Sequence, residues 1–318
     1  MTSDAVESVR TGGDLKNVYK HYTERKVLFI IACLVAAFFL FGLSIYIGAA
    51  DISFFEVYEL LYKHMAGTVY EPGTVGFIHD YVVWNVRLPR ALFALVAGAG
   101  LAVGGAVMQS VMKNPLADPY TTGISSGTCF GVAVAMVLGL TVTGSQIGNV
   151  GLVVNAFVFA MMPMAMIMII APMSKSSPAT LILAGVTISY IFNALSTVLL
   201  ISADAEVLSV VYRWQIGSLA SVSWDSIPIM ATVNLIGMVS VMFMAQKLNV
   251  LTLGDDNAKS LGLNASSMRI LCLMILSFMV ASVISYVGII GFIGLISAHI
   301  VSCLLYTSPS PRDRQKSR

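Results

Sequence analysis

The segment RLPRALFALVAGAGLAVGGAVMQSVMKNPLADP, residues 87–119, carries the pattern that decides the fold. Between Arg90 and Lys113 the chain runs without a charged residue. At about 1.5 Å of rise per residue such a run crosses a hydrocarbon layer of about 30 Å as a helix. Pro89 suits the first turn of that helix, where its missing N–H costs nothing. Gly98, Gly100, Gly104 and Gly105 follow, and Gly100 with Gly104 forms a GxxxG pair that lets another backbone approach closely. On their own these glycines read as plain helix packing. Gln109 is a polar residue near the far end. Asn114-Pro115 and Asp118-Pro119 then break the helix, because a residue before proline is pushed out of helical conformation.

The same reading extends along the chain. Apolar runs long enough to span cover residues 27–50, 91–112, 123–140, 148–173, 181–203, 227–245 and 270–287, with a shorter eighth at 288–301. The composition agrees: 57% of residues are hydrophobic, 11% are charged, and the mean hydropathy is +0.86. About 25% charged is usual for a soluble domain, and a chain this apolar cannot hide its side chains in one water-soluble core. The fold class is therefore all-α, a polytopic transmembrane helical bundle solvated by lipid. A net charge of +2 gives no footing for nucleic acid.

Basic residues set the expected orientation. With the N-terminus in the cytoplasm, the inside segments hold Arg10, Lys16, Lys20, Arg25, Lys26, Lys113, Lys175, Lys247, Lys259 and Arg269. The outside segments hold only Lys63, Arg87, Arg90 and Arg213. The outside stretch 51–87, with Phe54, Phe55, Tyr58, Leu60, Leu61 and Tyr62, has the look of a short interfacial amphipathic helix. Trp214 and Trp224 suit the interface as well. The longest inside connection, 247–268, reads as two short helical pieces punctuated by Gly254 and Gly262.

Several chemistries find no support. Cys33, Cys129, Cys272 and Cys303 are scattered and form no metal or disulfide spacing, so no metal site is expected. No GxxxxGK[ST] loop exists to cradle phosphate. The seven long runs contain no Asp, Glu, Lys, Arg or His, which argues against an ion-coupled secondary transporter. A membrane-embedded enzyme would need a nucleophile beside a base, and no paired base lies in the runs. His299 is read as a structural hydrogen-bonding residue.

The segment at 87–119 also resembles the signature of the FecCD-like permeases, which import iron-siderophores, haem and cobalamin. That signature is RLPR, a Gly-rich helix with GxxMQ (here Gly105 to Gln109), and NPLA(D/E)P (here Asn114 to Pro119). LNVLTLGDDNAKSLGLN, residues 248–264, looks like the family's coupling helices, which dock on an ATP-binding subunit. Trp214 to Leu219 resembles the family's W-x-x-G-S-L. GIIGFIGLISAHIV, residues 288–301, resembles G-x-I-G-F-[IV]-G-L-x-x-P-H, with Ala298 where the family usually has Pro. The match runs over about 27–301.

The resemblance implies a non-catalytic permease subunit of the type II ABC importer kind, in the cytoplasmic membrane of a prokaryote. The family has about ten spans. It implies a second permease chain, favoured as an identical one, two ATP-binding-cassette ATPase subunits carrying ATP and Mg, and a substrate-binding protein outside. No cofactor is expected on this chain. Arg87 and Arg90 would meet acidic residues of the binding protein. Leu253, Gly254, Asp255, Ala258, Leu261 and Gly262 would couple to the ATPase. Gly100, Gly104, Gly105, Gln109, Asn114 and Pro115 would serve helix packing and the translocation path. An iron(III)-siderophore is the favoured cargo as the family's commonest, with cobalamin or haem as alternatives. Residues 1–26 form a cytoplasmic segment outside the resemblance, and 27–302 the permease domain, incomplete at its C-terminus. Residues 303–318, beginning CLLYTSPSPRD, read as an adapter-like, non-native tail.

Overall fold

The computed structural model describes residues 12–144, 148–171 and 177–305, and these are helical with no strand. Arg10, Lys175 and the tail beyond Leu305 lie outside the described residues. The helices are α1 (Gly12–Tyr46), α2 (Phe54–Met65), α3 (Val75–Tyr81), α4 (Leu88–Met112), α5 (Ile124–Leu138) and α6 (Asn149–Ile170). They continue as α7 (Pro178–Ile201), α8 (Ala205–Ile216), α9 (Ile227–Thr252), α10 (Asp255–Ser260), α11 (Ala265–Val287) and α12 (Ile293–Leu305). Among the described residues, six helical stretches are long and apolar enough to cross a membrane, and every apolar run of the sequence corresponds to a helix. The third run is shorter than expected. Left-handed Gly123 (φ 86°) and Gly139 (φ 68°) bracket α5 at 15 residues, about 22 Å and short of a bilayer core. α1 starts at Gly12, well ahead of its apolar run.

The second span differs most from its sequence pattern. Its helix begins at Val75 rather than near Ala91, and Val75–Met112 is one rod of 38 residues. Pro89 therefore sits inside a continuous helix, not in a first turn. A π-helical turn, Val82–Arg87, makes this possible, with the Leu88 amide bonded to the Val83 carbonyl. Pro89 has no N–H to continue that five-residue pattern onto Trp84. The open Trp84 carbonyl instead accepts a hydrogen bond from Trp224 Nε1 at 2.9 Å. Trp84 also stacks on His64 of α2, with centroids 4.1 Å apart. Two His–carboxylate contacts clasp α2 to α3: His64 Nδ1 lies 2.8 Å from Asp80, and His79 Nδ1 lies 2.6 Å from Glu56.

Burial ranks the helices. Of its most apolar stretch, α11 has 67% buried, against 50% for the α3–α4 rod and 6% for α1. So α11 and α4 form the axis and α1 is peripheral. One core cluster, including Met108, Val111, Met164, Ile167, Leu181, Leu251 and Leu273, fills the end of the bundle that carries α10. A second, including Phe93, Leu101, Ile124, Met230 and Ile284, joins the N-terminal parts of α4 and α9 to the C-terminal part of α11. A third joins α1 and α2 to the rod through Ile45, Val57, Leu60 and Val83. Small residues set the closest approaches. A Cβ on Gly127 or Gly131 of α5 would strike Phe159 or Pro163 of α6, the packing that lipid-solvated helices favour.

Candidate functional site

The sequence expects a coupling segment at 253–262, and the structure forms a short elbow helix, α10, there. Gly254 (φ 115°) and Gly262 (φ 78°) place α10 between α9 and α11 with backbone angles that side chains disfavour. Ala258 is buried, whereas Leu253 and Leu261 are 61% and 65% exposed. Two leucines held out beside Asp256 and Lys259 form an apolar knob with a charged rim. Asp255 turns the other way. Its carboxylate takes Arg269 Nη1 at 2.8 Å and Nη2 at 2.5 Å, and Lys113 Nζ at 2.5 Å. Arg269, on α11, is fully buried, and its Nε donates to the Val111 carbonyl at 3.2 Å. The Arg269 hydrogen bond, with help from Lys113, holds the Asp255 carboxyl well below the usual carboxylate range.

The six α4-region residues divide by role. A Cβ on Gly100 would strike Asn234 of α9, and one on Gly105 would strike the Gly294 backbone of α12. One on Gly104 would meet only ordinary contacts at 3.7 Å. The close approaches are thus Gly100 and Gly105, on two faces, and not the GxxxG pair Gly100–Gly104. Gln109, Asn114 and Pro115 line a groove of about 640 Å³ between α4 and α12, together with Ala106, Ser110 and Ser297. The Gln109 Nε2 in it is buried with no hydrogen-bond partner among the described residues. Asn114 Oδ1 accepts from the Leu116 amide at 2.9 Å and shapes the turn into Pro115.

Motifs far apart in sequence converge. Asp118 caps the 3-10 turn Pro119–Thr122, and burial pushes its carboxyl up. Tyr120 Oη donates to the Ile290 carbonyl at 3.0 Å. Cβ atoms on Gly217 and Gly288 would strike the backbones of Ile289 and Trp214, and the Ser218 amide donates to Val287 at 2.7 Å. The three segments form one interlocked layer. α12 continues helically through Ala298, so no kink occurs where the family pattern would have proline.

The two arginines expected at a docking surface part company. Arg87 is buried, and its guanidinium donates to the carbonyls of Ile45 (3.1 Å), Tyr46 (2.7 Å) and Ala50 (2.7 Å). It caps the end of α1, where helix carbonyls lack partners, and it offers no free face to a second protein. Its guanidinium is thus engaged within the chain, at the junction of α1 and the α3–α4 rod. Arg90 is half-buried and binds the Ala220 carbonyl at 2.6 Å.

One feature escaped the sequence reading. Thr187, Tyr190, Asn193 and Thr197 lie on one exposed side of α7 among Leu183, Val186 and Ile201. Their spacing of three to four residues within an apolar run was the available signal. No group of three His, Cys, Asp or Glu that could hold a metal occurs among the described residues.

The FecCD transport family matches residues 33–311. An ABC transporter permease of Methanocaldococcus jannaschii is 33% identical over 294 residues, 91% of this chain and 81% of that protein. The iron(3+)-hydroxamate import permease of Bacillus subtilis is 34% identical over 265 residues, 83% of this chain and 65% of its own length. The hemin transport permease of Yersinia pestis is 32% identical over 222 residues, 69% of this chain and 66% of that protein. Among solved structures, a metal-chelate type ABC transporter in an inward-facing conformation superposes with a TM-score of 0.72 at 28% identity. It covers 88% of this chain and 82% of that one.

Proposed function

Because this chain belongs to the FecCD transport family, we propose that it is the multi-pass membrane permease of an ATP-driven importer for iron(III)-siderophore-type chelates. The observation that carries the reading is the elbow. It presents Leu253 and Leu261 to a partner while Asp255 ties the same segment to α4 and α11. A separate ATPase pair holding ATP and Mg takes that knob in its groove, a common mode for helix recognition. ATP-driven closure pushes α10 and rocks the bundle, so the chain itself needs no catalytic residue and no cofactor.

The α10 end then faces the cytoplasm, with the N-terminus on the same side. The α2 end faces outward, where a binding protein delivers the chelate and Arg90 contributes to docking. Charge at the rim of an interface orients an encounter more than it adds affinity. A second copy completes the path. The α7 stripe supports this, because Tyr190 and Asn193 are costly against lipid and suit a water-filled or protein-covered face. The α7 face is polar but uncharged, which fits a large chelate that must not stick.

The test is uptake into proteoliposomes holding permease, ATPase and binding protein, offered ferric hydroxamate, haem or cobalamin. ATP-dependent accumulation of the ferric chelate is expected. Preference for haem, suggested by the hemin permease among the relatives, would reassign the cargo. Uphill uptake by the permease alone would end the reading.

A further inference from the structure

Resting on the permease reading, we propose that Lys113, Asp255 and Arg269 form a charged joint that makes α10 and the end of α4 move as one body, so that motion received at the elbow reaches the rod lining the groove. Arg269 and Lys113 are positioning residues: neither lies on the exposed knob.

Three independent observations meet here. α10 is six residues long with Ala258 as its buried residue, too short to hold its place by helix propensity. Asp255 in its first turn is what fastens it to elements other than its chain neighbours, with Lys113 at 142 residues' separation. Arg269 is a fully buried cation on the most buried of the long apolar helices, and its fork binds Asp255 while its Nε caps the Val111 carbonyl at the end of α4. A buried charge is tolerated only with such partners, and removing one partner strands the other. Lys113 is one of two non-glycine residues with positive φ, at 49°, among the described residues. That left-handed cap usually carries glycine, and a side chain there is strained. The cost is met by a lysine whose Nζ reaches the elbow. Strain of this kind collects where a side chain has work to perform.

The lowered Asp255 carboxyl keeps the joint charged at any physiological pH. Because two cations from different helices share one carboxylate, displacement of α10 pulls on α4 and α11 together. Lys113 adds a second tie to the end of α4, beside the Arg269 Nε bond to the Val111 carbonyl.

The experiment uses the assembled transporter in proteoliposomes and reads ATP hydrolysis and uptake side by side. Labelled ferric hydroxamate, haem and cobalamin serve as probes. Lys113 is exposed enough for Lys113→Met to fold. This variant is expected to hydrolyse ATP within about twofold of the parent, while uptake per ATP falls about tenfold or more. Lys113→Arg is expected to restore it. Asp255→Asn should behave as Lys113→Met or worse. Unchanged uptake per ATP in Lys113→Met overturns the joint. A parallel fall of hydrolysis and uptake, or failure of the ATPase to co-purify, marks a fold-holding role only and overturns it too. A parent complex that drives no probe uphill refutes the permease reading itself, and is told apart by failing before any substitution is made.

Discussion

The Arg87 guanidinium donates to the Ala50 carbonyl at 2.7 Å, tying the second membrane rod to the turn that ends the first. With the bonds to Ile45 and Tyr46 it forms a three-carbonyl clip. Arg87→Ala should cost about 2–4 kcal/mol, since charged hydrogen bonds are lost and buried carbonyls are left open. Thermal unfolding in detergent or nanodiscs measures it. Arg87→Lys should recover only part, because an ammonium concentrates its donors on one nitrogen and lacks the planar fork that reaches carbonyls spread over Ile45 to Ala50.

Arg90 should behave oppositely. Arg90→Glu is expected to slow binding-protein association by several-fold at low salt, with little effect at high salt and little on the unfolding temperature. Stopped-flow binding at two ionic strengths is the check. An unchanged rate would remove Arg90 from docking.

Two glycines of α4 give a matched pair. Gly105→Ala pushes a methyl into the Gly294 backbone and should destabilise by about 1–3 kcal/mol. Gly98→Ala meets open space and should be neutral or stabilising by up to about 1 kcal/mol, as alanine is the better helix former. Unfolding midpoints of the two variants should move in opposite directions.

The elbow leucines are exposed and carry no fold. Leu253→Glu and Leu261→Glu should leave the unfolding temperature unchanged and weaken ATPase binding roughly tenfold or more, as for anchors at an interface centre. Co-purification and titration with the ATPase subunit read this.

The Asp255 carboxyl is depressed below its ordinary value of 3.8. Its contribution is therefore fully present above about pH 4 and is lost as pH falls through the lower folded value. The stability gap between the parent and Asp255→Asn should stay flat from neutral pH to about pH 4.5. It should shrink only below that. A gap that closes between pH 7 and pH 5 would mean the carboxyl is not held by Arg269.

Much of this architecture was legible because lipid imposes it locally. Each apolar run became a helix, and Gly254 and Gly262, read as punctuation, adopt the positive φ that such punctuation needs. What was not legible depends on distant partners. Arg87 looked like an exposed interface charge because nothing near it announces the carbonyls some 40 residues earlier. Pro89 looked like a helix start because the rescue of the Trp84 carbonyl comes from Trp224. The GxxxG pair misled because packing around α4 divides between α9 and α12, so Gly105 rather than Gly104 marks the close contact. Asp255 was picked out for coupling from its motif, but its ties to Lys113 and Arg269 exist only in three dimensions.

The clip on α1 also bears on biogenesis. α1 keeps 94% of its apolar stretch outside the protein core, so it can enter the bilayer alone, with its backbone satisfied within the helix. Its last carbonyls wait for a donor that is synthesised later and must itself reach the same membrane face. Closure of the clip therefore requires the start of α4 to arrive at the same face as the end of α1, so the two termini are held in register.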